Sequence, residues 1–238
     1  MELKYRRILG RAEDYARANH MDSFLSALVS LYRIFPAYDS ETTSQQEDLQ
    51  RCLLGINMLM DLHADVTPAE EETMLTAAVL SMTKDHLPGE REPEKTPVYP
   101  TDVTDLLEIL LTDPGQTDEE QQVFYRRIRE NKLALLILLA DRGILLQQLH
   151  RFSTRNARYI ISETRTVYLP MSIYGKEHYH ELLAPISILT EKMRSLSEAA
   201  EILLDRYESR EEELIQDIMA LQEENATIRG IIASFRQQ

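Results

Sequence analysis

From one end of the chain to the other, apolar residues recur at three- and four-residue spacing, and no segment alternates as a half-buried strand requires. That single feature restricts the chain to helix packed on helix. Composition agrees: there are 7 Gly and no Trp among 238 residues, and Leu, Glu, Ala and Arg abound. Unbranched side chains such as these lose little rotamer freedom in a helix.

The punctuation divides the helical pattern into segments. A first helix is expected over residues 1–35, with Ile8, Ala12, Tyr15, Ala16, Leu25, Leu28 and Leu31 inward and Pro36 as its end. Asp39–Glu47 reads as a loop and Leu49–Leu62 as the next helix. Thr67 then serves as an N-cap, with Pro68 at the first helical position and acids at 70–72 in the first turn, opening a helix to about His86. Leu87–Pro100 is rich in proline and reads as a long loop. Further helices are expected over Asp102–Leu111, Asp118–Arg129, Lys132–Leu149 and Thr154–Leu169, with Pro170 and Gly175 as breaks before the C-terminal helices.

The tail follows a different rule. Leu214, Ile218, Leu221, Asn225, Ile228, Ile232 and Phe235 are spaced 4-3-4-3-4-3, the seam of a coiled coil with Leu214, Leu221, Ile228 and Phe235 at d and Ile218, Asn225 and Ile232 at a. A lone Asn at a costs stability and selects a two-stranded, in-register pair; Glu224 and Arg229 fall where g and e residues of parallel helices meet. Glu211 interrupts the seam upstream. The expectation is a parallel homodimer through 191–238, following a helical domain over 1–190.

Several classes of function are disfavoured. The formal net charge of −14 opposes nucleic acid and anionic membrane surfaces. Arg126, Arg127 and Arg129, the densest basic stretch, read as a solvated face. The single cysteine, Cys52, rules out an intrachain disulfide and fits a cytoplasmic location. MELKYRRILG lacks the apolar core of a signal peptide, and the run Leu133–Ala140 is far shorter than a membrane span. Phosphate-binding glycine loops, the GxSxG elbow and CxxC pairs are absent from the sequence.

Five segments in order carry a resemblance: AEDYARANH at Ala12–His20, TAAVLSMTKD at Thr76–Asp85, DVTDLLEILLTD at Asp102–Asp113, YRRIRENKLALLILLADR at Tyr125–Arg142, and RNARYIISETRTVYLP at Arg155–Pro170. Together with Gly175 and Glu181-Leu182, they resemble the HD domain of Rel/Spo-type (p)ppGpp hydrolases across residues 5–190, LADR being the most specific piece. The resemblance implies an all-α, HD-domain-like helical bundle, here followed by the coiled-coil helix. It also implies a site in which a His, a His-Asp pair and a later Asp hold one divalent ion, usually manganese, that activates water, with a Glu-Asp pair handling protons.

Carried onto this chain residue by residue, that site is degenerate. The first His position falls near Arg51, with Cys52 where the family has proline; the His-Asp pair is Ser81-Met82; the Glu-Asp pair is Asp85-His86. Asp141 of LADR survives, followed by Arg142, while Leu138 replaces the family's lysine and Ile144-Leu145 its His-Asn. Met82 suits a hard cation poorly and fills gaps readily, so it is expected to close over the old site with Ser81. Arg51 would bring positive charge where the ion sat. Asp141 and Arg142 are expected to join an internal ion pair or hydrogen bonds; the alternative is that Arg142, with Arg51, faces a nucleotide phosphate. Asp61, Asp65, Asp85, His86, His178 and His180 do not form a chelating pattern, so no cofactor is expected, manganese entering only if the site were rebuilt.

Three functions compete. The first is a non-catalytic HD-domain homologue acting as a regulatory module that binds a guanine nucleotide or a protein. The second is an active metal-dependent guanosine polyphosphate pyrophosphohydrolase with altered ligands. The third is a helical dimerisation adaptor with a vestigial pocket. Loss of the His-Asp pair favours the first.

Overall fold

The computed structural model describes residues 3–34, 43–62, 64–83, 99–115 and 117–236, with side chains over 4–31, 47–62, 64–83, 99–115 and 117–223. Among the described residues the chain is almost entirely helical and contains no strand, as the spacing requires. The helices are α1 (Leu3–Ala18), α2 (Asp22–Ile34), α3 (Thr43–Asp61), α4 (Pro68–Thr83), α5 (Thr101–Leu111), α6 (Asp118–Glu130), α7 (Lys132–Gln147), α8 (Thr154–Glu163), α9 (Leu169–His178) and α10 (Leu183–Arg236). Asp85, His86 and most of the proline-rich stretch lie outside the described residues.

Two helices form the centre. In α4 every residue from Met74 to Leu80 is buried, and in α7 burial is nearly continuous from Leu133 to Leu146. A helix apolar all round must be covered all round. Thus α4 is packed by α2, α3, α5 and α7, and α7 by α3, α6, α9 and α10. The caps follow the sequence. Thr67 and Glu70 hold each other's backbone N–H at the start of α4, and Thr117 and Glu120 repeat the arrangement at α6. Asn131 accepts from the N–H groups of Leu133 and Ala134 at the start of α7.

Four expectations require correction. The single helix over 1–35 is two helices. His20 adopts φ 56°, and Met21 N–H donates to the Ala16 carbonyl while His20 N–H donates to that of Arg17, a Schellman ending that turns α1 into α2. The expected loop Asp39–Glu47 gives way to helix at Thr43. Pro170 does not end its helix. The chain passes from α8 through a π turn, Thr164–Tyr168, into α9 with Pro170 in its first turn. Proline has no N–H to donate and crowds the carbonyl of the preceding turn; the wider π turn directly before it relieves both. Gly175 does not break the chain either. It lies within α9 because a Cβ there would stand 2.7 Å from Leu135 Cδ2 and 2.9 Å from Ile186 Cδ1, so glycine lets α9 close onto α7 and α10.

The C-terminal helix α10 is 54 residues long. Its first turns bury Ile186, Leu189, Met193 and Ser197 in the core, so the division expected at 190/191 falls inside it. Arg165–Glu201 and Arg158–Asp205 and Glu208 ion pairs then fasten it to the α8 side. Beyond these, Leu214, Ile218 and Leu221 are 46%, 53% and 57% exposed. The later seam positions Asn225, Ile228, Ile232 and Phe235 lie on the helical backbone, and their side chains are outside the described set. No described helix is long and apolar enough to cross a membrane.

Candidate functional site

Packing of α3 on α7 brings Arg51 to Asp141, and packing of α4 on α3 sets Met82 beside Gly55, one turn from Arg51. Arg51, near the middle of α3, reaches across to the LADR segment. Its Nε donates to Asp141 Oδ1 at 2.5 Å and its Nη2 to Asp141 Oδ2, a two-pronged guanidinium–carboxylate pair. The side chains are 33% and 18% exposed, so the pair is only partly wet. Burial works against the Arg51 charge. The Asp141 carboxylate more than offsets this through its charge and hydrogen bonding, and the guanidinium pKa lies above its ordinary value. Cys52, next to Arg51, is fully buried; burial, and then the Asp141 charge, push its thiol pKa up, which makes it a poor nucleophile or metal ligand.

Met82 approaches from α4. A Cβ on Gly55 would lie 3.1 Å from Met82 Cε and 3.4 Å from its sulfur, so the thioether rests in the groove that Gly55 leaves on α3. Gly55 is one turn from Arg51 and shares its face. The Ser81 hydroxyl donates to the Ala78 carbonyl of its own helix at 3.2 Å.

Arg142 turns the other way. It is 4% exposed, with Nε donating to Thr164 Oγ1 at 2.7 Å and Nη2 donating to the Ile160 carbonyl at 2.6 Å and Glu163 Oε2 at 2.8 Å. Its guanidinium lies 4.2 Å from the centre of the Tyr168 ring. Burial raises the Tyr168 pKa to about 12, opposed by the Arg142 charge. Arg142 thus makes internal hydrogen bonds and an ion pair, and the alternative, that it joins Arg51 in facing a phosphate, does not hold: its donors serve α8 and the π turn. Tyr125 extends this network by donating to the other oxygen of Glu163 at 3.1 Å. Asp141 and Arg142, adjacent in sequence, thus take separate partners, Arg51 and Glu163. Position 51 is placed near the site by the resemblance, whereas Glu163, Thr164, Tyr168 and Gly55 were not visible in the sequence.

The donor set does not fit the divalent ion that the resemblance implies. The one surviving carboxylate is held by a guanidinium, the Met82 thioether rests beside Gly55, and the Ser81 hydroxyl is engaged within its helix. Among the described residues no three His, Cys, Asp or Glu side chains converge. Asp61, considered as part of a rebuilt site, is paired with Arg11 at 2.6 Å, and His178 stacks on Tyr174.

Comparison with family models, with characterised proteins and with solved structures gives no significant match to this chain.

Proposed function

We propose that this chain is a non-catalytic homologue of the HD domain of (p)ppGpp hydrolases, a regulatory binding module that pairs with a second copy through α10. One observation carries the reading: the Arg51 guanidinium sits on Asp141, the residue that matches the family's last metal ligand. A fixed side-chain cation there serves the carboxylate as a metal ion would, but it offers no open coordination position and cannot generate hydroxide from bound water. The row Leu214, Ile218, Leu221, roughly half exposed in one chain and spaced as a seam, supports the pairing.

Incubation of the protein with ppGpp and Mn²⁺, with pyrophosphate release as the readout, tests the central part of this reading. The expected result is no release above the protein-free control. Metal-dependent turnover that disappears in Asp141→Ala would replace the reading with that of an active hydrolase using altered ligands.

A further inference from the structure

A second polar site lies away from the Arg51–Asp141 pair. On α6, Gln122, Arg126 and Arg129 follow one another at four- and three-residue spacing and so share a face. With Tyr125 and with Met171 of α9 they line a cavity of about 290 Å³. Neither arginine forms an ion pair among the described residues, although acids outnumber bases 40 to 26 in the sequence and Glu130 stands one turn beyond Arg126. Arg127, between them, does pair, reaching Glu108 on α5.

The Arg129 guanidinium is held in place. It lies 5.0 Å from the centre of the Tyr174 ring, which in turn stacks on His178 at 3.8 Å. Its Nε is buried and has no hydrogen-bond partner among the described residues. A cation at the end of a helix is favoured by the helix dipole, but that does not account for a ring-stacked guanidinium with a buried, unused donor beside a cavity. Stacking fixes the plane of a guanidinium and leaves its edge free for an oxyanion. Arg126 is exposed and supplies the second positive charge from the open side. The Tyr125 hydroxyl is spent on Glu163, so that ring contributes a wall and no competing donor.

We propose that the cavity between α6 and α9 binds the phosphate group of a small molecule, with Arg129 as the oriented guanidinium and Arg126 and Gln122 closing on the oxygens. Phosphate chemistry fits because two cations without carboxylate partners among the described residues line a space large enough for a phosphate or pyrophosphate group, bounded by aromatic and thioether walls. The site shares no residue with the Arg51–Asp141 pair and stands whether or not that pair has displaced a metal.

Calorimetric titration of the full chain with inorganic phosphate and with pyrophosphate tests the proposal. Saturable binding of at least one is expected, tighter for pyrophosphate. Arg126→Gln, at an exposed position that preserves folding, should weaken it by about tenfold or more. Arg129→Lys, which keeps the charge but not the planar fork, should weaken it as well, while Arg127→Gln should leave it unchanged. Thermal melting followed by circular dichroism verifies that each variant folds. Absence of saturable binding in the wild-type chain, or equal binding by wild type and folded Arg126→Gln, would overturn the assignment.

Discussion

Asp141→Asn removes the charge that faces Arg51 while nearly preserving shape, so its effect on stability measures what the pair does. Breaking a fully buried ion pair costs about 3–5 kcal/mol because it strands the remaining charge. Here Arg51 is 33% and Asp141 18% exposed, and Asp48 also acts on the Arg51 charge. Water and Asp48 soften the loss, which scales to about 2 kcal/mol. For a chain of this size that corresponds to a fall in melting temperature of about 4–8 °C. Arg51→Met should cost a similar amount by leaving Asp141 without its partner. The double variant Arg51→Met with Asp141→Leu replaces the pair by apolar contact and should lie within about 1 kcal/mol of wild type. Urea unfolding of the wild type, Arg51→Met, Asp141→Leu and the double variant closes the cycle. A double variant whose loss equals the sum of the single losses would refute the reasoning, because it would mean the two residues do not act on each other.

Two further outcomes are expected. Lys132 Nζ lies 2.8 Å from Glu70 and 3.2 Å from Glu181, and its hydrogen bond, with that of the Thr67 backbone, holds the Glu70 pKa at about 2, below the ordinary 4.5. A carboxylate with a depressed folded pKa stabilises above its unfolded pKa and loses that contribution as pH falls through the folded one. The stability gap between wild type and Lys132→Met should therefore narrow as pH falls from 4.5 toward 2, and a constant gap by urea unfolding would contradict it. Light scattering should show a dimer for the full chain and a monomer for a chain ending at residue 210, since the seam begins at Leu214; an equally dimeric short chain would place the interface elsewhere.

The helices were legible wherever a side chain both packs and caps. Thr67-Pro68 with Glu70 marks the start of α4, and Thr117 with Glu120 marks α6, because the residues that satisfy the free N–H groups are local in sequence. The α1–α2 turn was hidden because a histidine, His20, takes the left-handed position usually read from glycine. Pro170 misled for the opposite reason: its usual effect is absorbed by the π turn before it. Gly175, read as a break, is instead a close-packing position, which depends on Leu135 and Ile186 far away in sequence. At the candidate site, LADR and the proximity of position 51 could be read from the resemblance. The direction of Arg142 could not, because Glu163, Thr164 and the Ile160 carbonyl reach it only through the packing of α8 on α7.

The claim that the Arg51 guanidinium stands where a divalent ion would be held is tested most directly by Mn²⁺ titration, followed calorimetrically, of three proteins. These are the wild-type chain, Ser81→His with Met82→Asp, and the same pair combined with Arg51→His. No saturable binding is expected for the wild type, weak binding for the double variant because the guanidinium remains on Asp141, and clear one-to-one binding only when Arg51 is also replaced. Stoichiometric Mn²⁺ binding by the wild-type chain, or equally tight binding by the double and triple variants, would contradict the claim.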